Sequence, residues 1–323
     1  MSKIYLLFLF NFFLLNAVFS QGFFSGDLEL RNDYYIRDTV IGAAGTNHFD
    51  DLKSSVDSWF SLNYQNPDIQ FDAGIRLDLF LNSRFHNPNQ DAYQGFGVGI
   101  WYLRKKFNRL TLTGGYFYDQ FGSGIAFRAF ENRFLGIDNA IFGVHGRYDI
   151  TDNFTVKAFA GLQKNRMEIY KSVLKGLNAE GFVELGDKVT MIPGGSVLNR
   201  TMDEESMSLV ANVINNYPNV EDRFVPKYNT YLFSAYNTMN FGNFSWFVEA
   251  GYKTPEAIVD IVGEPYVNKA GNIVFTNFTY SQKGFGITSQ FKRTDHFQFR
   301  NSPPWYHSYF ISKFYKALCI QSF

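Results

Sequence analysis

The chain has 323 residues, and its 30 acidic residues balance its 30 basic residues, so the formal net charge is zero. This balance argues against a nucleic-acid partner, which calls for a basic excess. The single cysteine, Cys319, excludes an intramolecular disulfide framework, and the aromatic content of 19% is more than a soluble domain easily buries.

The N-terminus predicts export. Lys3 precedes an almost continuous apolar run over residues 4–15, and the small residues Ala17 and Ser20 offer a cleavage site before Gln21. A membrane-spanning helix needs about 20 apolar residues, which this run does not reach. Residues 1–20 are therefore predicted to be a cleaved secretory signal peptide.

Residues 69–82 have the clearest strand pattern in the chain. Apolar residues occupy every odd position from Ile69 to Leu81, and Asp72, Arg76 and Asp78 stand between them. Because side chains alternate faces along a strand, one face is apolar and the other is charged. A tilted strand crosses a bilayer in roughly 9–11 residues. The pattern predicts a strand with lipid on one side and with Asp72, Arg76 and Asp78 facing a polar lumen.

The same alternation recurs along the chain and predicts roughly 12 to 14 strands. In 244–253, for example, Trp246 and Tyr252 share one face while Glu249 and Lys253 share the other. Short reversals are predicted at 104–109, 150–153, 240–243 and 283–284, and long polar connections at 38–53, 84–95 and 254–272. Short turns alternating with long loops are typical of outer-membrane barrels.

Two regions depart from this pattern. Region 165–226 is the least regular, and within it residues 203–216 predict a short amphipathic helix that lies in a loop or plugs the lumen. The barrel is predicted over 21–302, because Pro303 and Pro304 break the alternation and 303–323 form an atypical tail. We favour a truncation or a shifted reading frame near 302 over a genuine last strand. The barrel would then lack closing strands, and an open edge is not viable in lipid.

The block from Tyr118 to Asn139 contains Gln-Phe-Gly-Ser-Gly at 120–124 and Leu-Gly-Ile-Asp-Asn at 135–139. It resembles the QFGSG…R…E.R.LGIDN block of an uncharacterised family of Bacteroidetes outer-membrane proteins, and the resemblance extends loosely over residues 22–300. The resemblance implies an exported β-barrel without a known activity, and it carries over no catalytic residue. Members of that family are longer than this chain, which supports the truncation interpretation.

The same block contains the candidate site residues. Gly122 and Gly124 predict a tight bend or a close backbone approach. Four charges follow within eleven residues, and these are Arg128, Glu131, Arg133 and Asp138. They predict either a lumen charge cluster that sets ion selectivity or a solvated loop with offsetting charges, which is the commoner case for short charged spans.

Outside this block the sequence contains few residues in patterns typical of metal sites, cofactor sites or catalytic sites. The five histidines form no metal-ligand spacing, and the chain carries no nucleotide-binding motif, so we expect no metal and no cofactor. Ser123, His145 and Asp138 could be assembled into a serine-histidine-acid arrangement, but no spacing rule supports one. The sequence therefore predicts no enzyme and no catalytic residue.

Taken together, these patterns predict an all-β protein, an antiparallel transmembrane β-barrel in the outer membrane of a Gram-negative cell. Its expected surroundings are outer-membrane lipid and, in a larger assembly, other envelope proteins. The leading interpretation is a porin-like channel for small polar solutes. The alternative is a non-conducting structural or accessory barrel of an envelope or secretion complex.

Overall fold

The computed structural model describes residues 22–36, 53–83, 95–186, 188–259, 266–297, 299 and 301. The predicted signal peptide, the tail after 302 and the connections 38–53 and 84–95 fall almost entirely outside these residues. Contacts divide the chain into unit 1, up to Tyr116, and unit 2, from Phe117 onward. Among the described residues, no helix has the length and apolarity to cross a membrane.

Unit 1 is an antiparallel meander in which each strand pairs with the next. The register places Ile75 and Leu81 on an exposed face and Arg76 and Asp78 on a buried face. The strand predicted at 69–82 is confirmed over its central 11 residues. Its first two residues belong instead to the turn after β2, where Gln70 adopts a positive φ of 52°. The strands are β1 (Phe23–Tyr34), β2 (Ser54–Asn66), β3 (Phe71–Leu81), β4 (Gly95–Phe107) and β5 (Leu110–Phe117).

Unit 2 is a second antiparallel ladder. Its order is β10-β11-β12-β14-β15-β16-β17-β18, and β13 pairs beside β14. The long strands are β10 (Ile141–Thr151), β11 (Phe154–Asn165), β12 (Glu168–Gly181), β14 (Val189–Thr201), β15 (Asn229–Phe241), β16 (Phe244–Val259), β17 (Tyr266–Gln282) and β18 (Phe285–Asp295). The short ones are β6 (Asp119–Phe121), β7 (Phe127–Ala129), β8 (Glu131–Asn132), β9 (Ile137–Asp138) and β13 (Val183–Leu185).

The described residues of the two ladders hold fourteen strands, all antiparallel, which agrees with the predicted number. The predicted turns at 150–153, 240–243 and 283–284 are confirmed, since each joins two paired strands there. The reversal predicted at 104–109 is confined to Asn108 and Arg109, because β4 continues to Phe107. The last described strand, β18, ends at Asp295, and His296 follows it with a positive φ of 46°.

One connection predicted from the sequence was wrong, and the region that looked irregular contains regular strands. The segment 254–272 is mostly strand, because β16 and β17 continue to pair beyond a register shift between Lys253 and Glu256. Pro255 lies in that shift and interrupts the alternation, so the sequence there looks like a loop. The irregular region 165–226 contains the long β12–β14 pair. Gly176 and Gly194 break its apolar alternation, and rings of Phe159 and Tyr236 fill the space that their Cβ atoms would take.

The connection between β14 and β15 contains helix α1 (Glu204–Asn215), which lies inside the predicted span 203–216. The apolar side of α1 packs with Met202, Tyr217 and Tyr266, so the helix is held by neighbouring strand ends. Asp203 caps it by accepting a hydrogen bond from the Ser206 backbone N–H at 2.9 Å. Burial opposes ionisation of Asp203, but hydrogen bonds from Ser206 outweigh burial and hold the pKa of this carboxyl below its usual value.

Replacing Asp203 with alanine is expected to destabilise α1 by about 0.5–2 kcal/mol, the usual contribution of an N-cap. A lowered folded-state pKa means that the carboxylate stabilises α1 above its unfolded-state pKa, and that this contribution is lost as pH falls through the folded value. Amide hydrogen exchange in α1 should therefore be faster in Asp203→Ala than in the wild type at neutral pH, and the two should converge in acid. Equal exchange at neutral pH would contradict this role, and Asp222→Ala, outside the helix, is the control.

Candidate functional site

The ladder of unit 2 has one buried face and one exposed face, except at β18, which is exposed along its whole length. The buried face holds polar and charged side chains that are less than a tenth exposed, namely Ser196, Arg200, Thr230, Ser234, Glu249, Lys253 and Glu256. The alternate positions hold large apolar side chains that are more than a third exposed, such as Phe233, Trp246 and Tyr252. The prediction that Glu249 and Lys253 lie on the face opposite Trp246 and Tyr252 is confirmed.

Residues 118–139, here called the docked segment, fold onto this buried face. The segment forms two small hairpins, β6–β7 and β8–β9. Phe121 is fully buried, and its ring centroid lies 5.1 Å from that of Phe127 and 5.8 Å from that of Phe159 on β11. These rings join Leu174, Leu198 and Leu232 in one core. Apolar contact therefore anchors the docked segment to strands β11 to β15.

Of the two predicted structural glycines, Gly122 lies against the ladder, whereas Gly124 lies against Gln120 and Arg128 of the docked segment itself. Gly122 and Gly124 have φ values of 52° and 88°, which side chains rarely adopt. A Cβ at Gly122 would lie 2.8 Å from the Tyr236 ring and 3.1 Å from the Glu249 carboxylate. Any side chain at Gly122 would therefore be strained and would also push the segment away from β15 and β16.

A polar contact next to Gly122 also holds the docked segment on the ladder. The backbone N–H of Ser123 donates to Oε2 of Glu249 at 3.0 Å, and the Ser123 hydroxyl donates to the same oxygen. Glu249 is fully buried, and its other oxygen, Oε1, has no hydrogen-bond partner among the described residues. A buried polar atom without a hydrogen-bond partner costs free energy, so the two Ser123 donors to Oε2 provide the hydrogen bonding of this carboxyl group.

The four charges of the docked segment have different partners, although Glu131 and Asp138 lie opposite each other in the β8–β9 hairpin. Asp138 is buried and accepts from Lys164 of β11 at 2.7 Å and from the Tyr118 hydroxyl at 2.9 Å. Arg133 pairs with Glu131 at 3.2 Å. Arg128 is exposed, and its guanidinium carbon lies 4.2 Å from the centroid of the Phe130 ring.

A second charged group lies at the start of the docked segment. Asp119 is 3.0 Å from Nε2 of His145 and accepts from Lys157 at 2.8 Å. His145 thus lies against Asp119, Asp138 lies against Lys164 and Ser123 lies against Glu249. The structure gives each member of the serine-histidine-acid arrangement weighed from the sequence a different partner.

Strands β14 to β16 hold a buried charge network of which only Lys253 was placed on the polar face by strand parity. Glu256 accepts from Nη2 of Arg200 at 2.5 Å, from Nζ of Lys253 at 2.5 Å and from the Thr230 hydroxyl at 3.2 Å. Both cations and the carboxylate are less than a tenth exposed. Arg200 lies in the region that looked irregular and Glu256 in the segment that looked like a loop, so no strand parity pointed to them.

Unit 1 has a smaller charged site on its own buried face. Arg76 donates to Asp78 through two parallel hydrogen bonds of 2.6 and 2.8 Å, and both side chains are almost fully buried. The Asp78 carboxylate occupies the space that a Cβ of Gly99 would fill, only 2.0 Å away. Asp72, the third residue predicted to face a lumen, is half-buried.

Sequence comparison places the chain in a family. Residues 1–321 match the Family of unknown function (DUF6029). The chain belongs to this family. No curated protein matches it.

Several solved structures resemble this DUF6029 chain. OccAB4 of Acinetobacter baumannii is 9% identical, with a TM-score of 0.40 over 87% of this chain and 84% of that chain. OprB of Pseudomonas putida is 14% identical, with a TM-score of 0.38 over 80% and 75%. OpdQ of Pseudomonas aeruginosa is 10% identical, with a TM-score of 0.37 over 81% and 77%. Likeness of this degree is not evidence of a shared substrate.

Proposed function

We propose that this protein is an outer-membrane β-barrel that passes small polar solutes, and that the docked segment narrows the passage. The observation that carries the proposal is the division of each ladder into two faces. Charged side chains are buried together with an apolar core on one face, and a second set of rings and aliphatic side chains is exposed on the other. A water-soluble protein would bury the large apolar side chains instead.

Strand length supports a membrane location. Apart from β5, with 8 residues, and the short β13, the ladder strands range from 11 residues in β3 to 17 residues in β17, so each is at least as long as the roughly 9–11 residues of a tilted membrane-spanning strand. Exposed apolar faces on strands of this length match the lipid-facing band of outer-membrane barrels, whose interiors are polar. The proposal includes export by a signal peptide, lipid as the surrounding partner and a Gram-negative, Bacteroidetes-type envelope.

The docked segment is proposed to be the constriction because it packs on the buried face of unit 2. The core around Phe121 and the Ser123–Glu249 contact hold it there. Within the predicted charge cluster, Asp138 and the Glu131–Arg133 pair are neutralised by ion pairs. We therefore assign the passage-facing role to Arg128, the exposed member.

Conductance in planar bilayers tests the proposal. We expect the wild-type protein to form ion-conducting pores. Replacing Glu249 with alanine removes the acceptor for Ser123 and loosens the docked segment, so the single-channel conductance should rise. Glu221→Ala, which removes an exposed glutamate from the connection before β15, should leave the conductance unchanged. A bilayer that stays sealed with correctly folded protein would contradict a channel.

One observation favours the alternative, a non-conducting structural barrel of an envelope complex. The core on the buried face of unit 2 contains ten buried apolar residues, with Phe297 and Phe299 packed against it. Such a core could seal the interior. The alternative predicts no conductance for the wild type or for Glu249→Ala, and co-purification with a large envelope partner.

A further inference from the structure

The exposed face of unit 2 contains a groove that the proposed channel does not use. It has a volume of about 650 Å³ and lies beside the short turn that joins β15 to β16 at Gly242 and Asn243. Its walls are aromatic and aliphatic, with one cation, and the residues that form them are Lys188, Phe241, Phe244, Phe278, Tyr280 and Ile287. We call it the aromatic groove.

Ring packing gives the groove a defined shape. The Phe244 ring stacks on Phe241 with centroids 5.2 Å apart, and it lies 4.7 Å from the Tyr280 ring and 5.5 Å from the Phe278 ring. Phe244 and Phe278 are nevertheless more than a third exposed. The rings support one another and leave an apolar surface open to the surroundings.

Lys188 gives the groove its charge. This lysine is exposed and precedes β14, whose first residue, Val189, is in register with Phe241. A cation beside exposed rings at one end of a membrane-spanning ladder is the combination that binds a lipid, since the rings contact acyl chains and the ammonium attracts the headgroup phosphate.

We infer that the aromatic groove binds an anionic phospholipid, with an acyl chain along Phe244 and Phe278 and the headgroup phosphate at Lys188. The inference rests on the proposed membrane location. It commits to a phospholipid because short turns of outer-membrane barrels face the periplasm, so the groove would open to the inner leaflet. A free anion would gain nothing from the apolar walls.

Trp246 provides a built-in reporter. It is exposed on the same face, and its partner in the β16–β17 register is Phe278, which lines the groove. In a variant whose other tryptophans are replaced by phenylalanine, brominated lipids quench only Trp246. Comparing brominated phosphatidylglycerol with brominated phosphatidylcholine in mixed vesicles then gives the headgroup preference at the groove.

We expect phosphatidylglycerol to be preferred about fivefold, the factor that one lysine near a charged surface gives. Lys188→Gln should abolish the preference. Lys283→Gln is the matched control, because Lys283 is an exposed lysine of the neighbouring short turn that does not line the groove. The control should keep the preference.

Three results would overturn the inference. They are equal quenching by both lipids, an equal loss of preference in Lys283→Gln and Lys188→Gln, and weak quenching by both lipids in a protein that self-associates through this face. The first two leave the membrane location standing, since Trp246 is still quenched by lipid. Failure of the proposed function would appear differently, as protein that does not insert into the vesicles.

Discussion

Replacing Glu256 with alanine is expected to lower the free energy of unfolding by about 3–5 kcal/mol, the usual result of breaking a buried ion pair from one side. The substitution takes away the carboxylate that Arg200 and Lys253 both contact at 2.5 Å, and both cations stay buried. Urea-induced unfolding of the protein in lipid vesicles measures the loss. Glu221→Ala, at an exposed glutamate, should change stability little.

A variant that removes all three charges at once distinguishes the cost of burying an unpaired charge from the loss of side-chain packing. Replacing Arg200 and Lys253 with methionine and Glu256 with leucine removes all three charges together, so less stability should be lost than in Glu256→Ala alone. If Glu256→Ala unfolds at the same urea concentration as Glu221→Ala, the network does not stabilise the fold and the assigned contacts are wrong.

Replacing Ile75 with arginine is expected to impair assembly. Ile75 lies near the middle of β3 and is 43% exposed, on the face opposite the buried Arg76. If that face meets lipid, an arginine there costs about 2–4 kcal/mol at the bilayer midplane. The fraction of refolded protein in vesicles, read from heat-modifiable gel migration, should fall well below that of the wild type.

The matched control places the same side chain on the other face. Gln65→Arg lies on β2 at the position in register with Asp72, where a new arginine meets a carboxylate and water instead of lipid. We expect it to assemble like the wild type. If both variants assemble equally well, the assigned facing of unit 1 is wrong.

Much of the ladder architecture could be predicted because strand parity is a local property. Residues 69–82 and 244–253 alternate cleanly, and turns such as Lys283–Gly284 contain residues that reversals need. The same reasoning placed Glu249 and Lys253 on one face. Strand parity did not predict the strands where a neighbouring ring fills the space over a glycine, as at Gly176. It also did not predict them where the register shifts at Pro255.

The candidate site was less accessible to sequence reasoning. The glycines at 122 and 124 signalled a close approach, but not what they approach. The partner of Ser123 is Glu249, which is 126 positions away, and the partner of Asp138 is Lys164 on a neighbouring strand. Sequence spacing does not identify such distant pairs, so the four nearby charges were compatible both with a lumen cluster and with a solvated loop.

The central claim, that the exposed apolar faces meet lipid, is tested most directly by tryptophan quenching with brominated phosphatidylcholine. In separate single-tryptophan variants, Trp246 is 41% exposed and Trp59 is 4% exposed. The account predicts strong quenching of Trp246 and little quenching of Trp59 in reconstituted vesicles. Equal quenching of the two, or a folded protein that stays in solution without lipid or detergent and shows no quenching at Trp246, would contradict it.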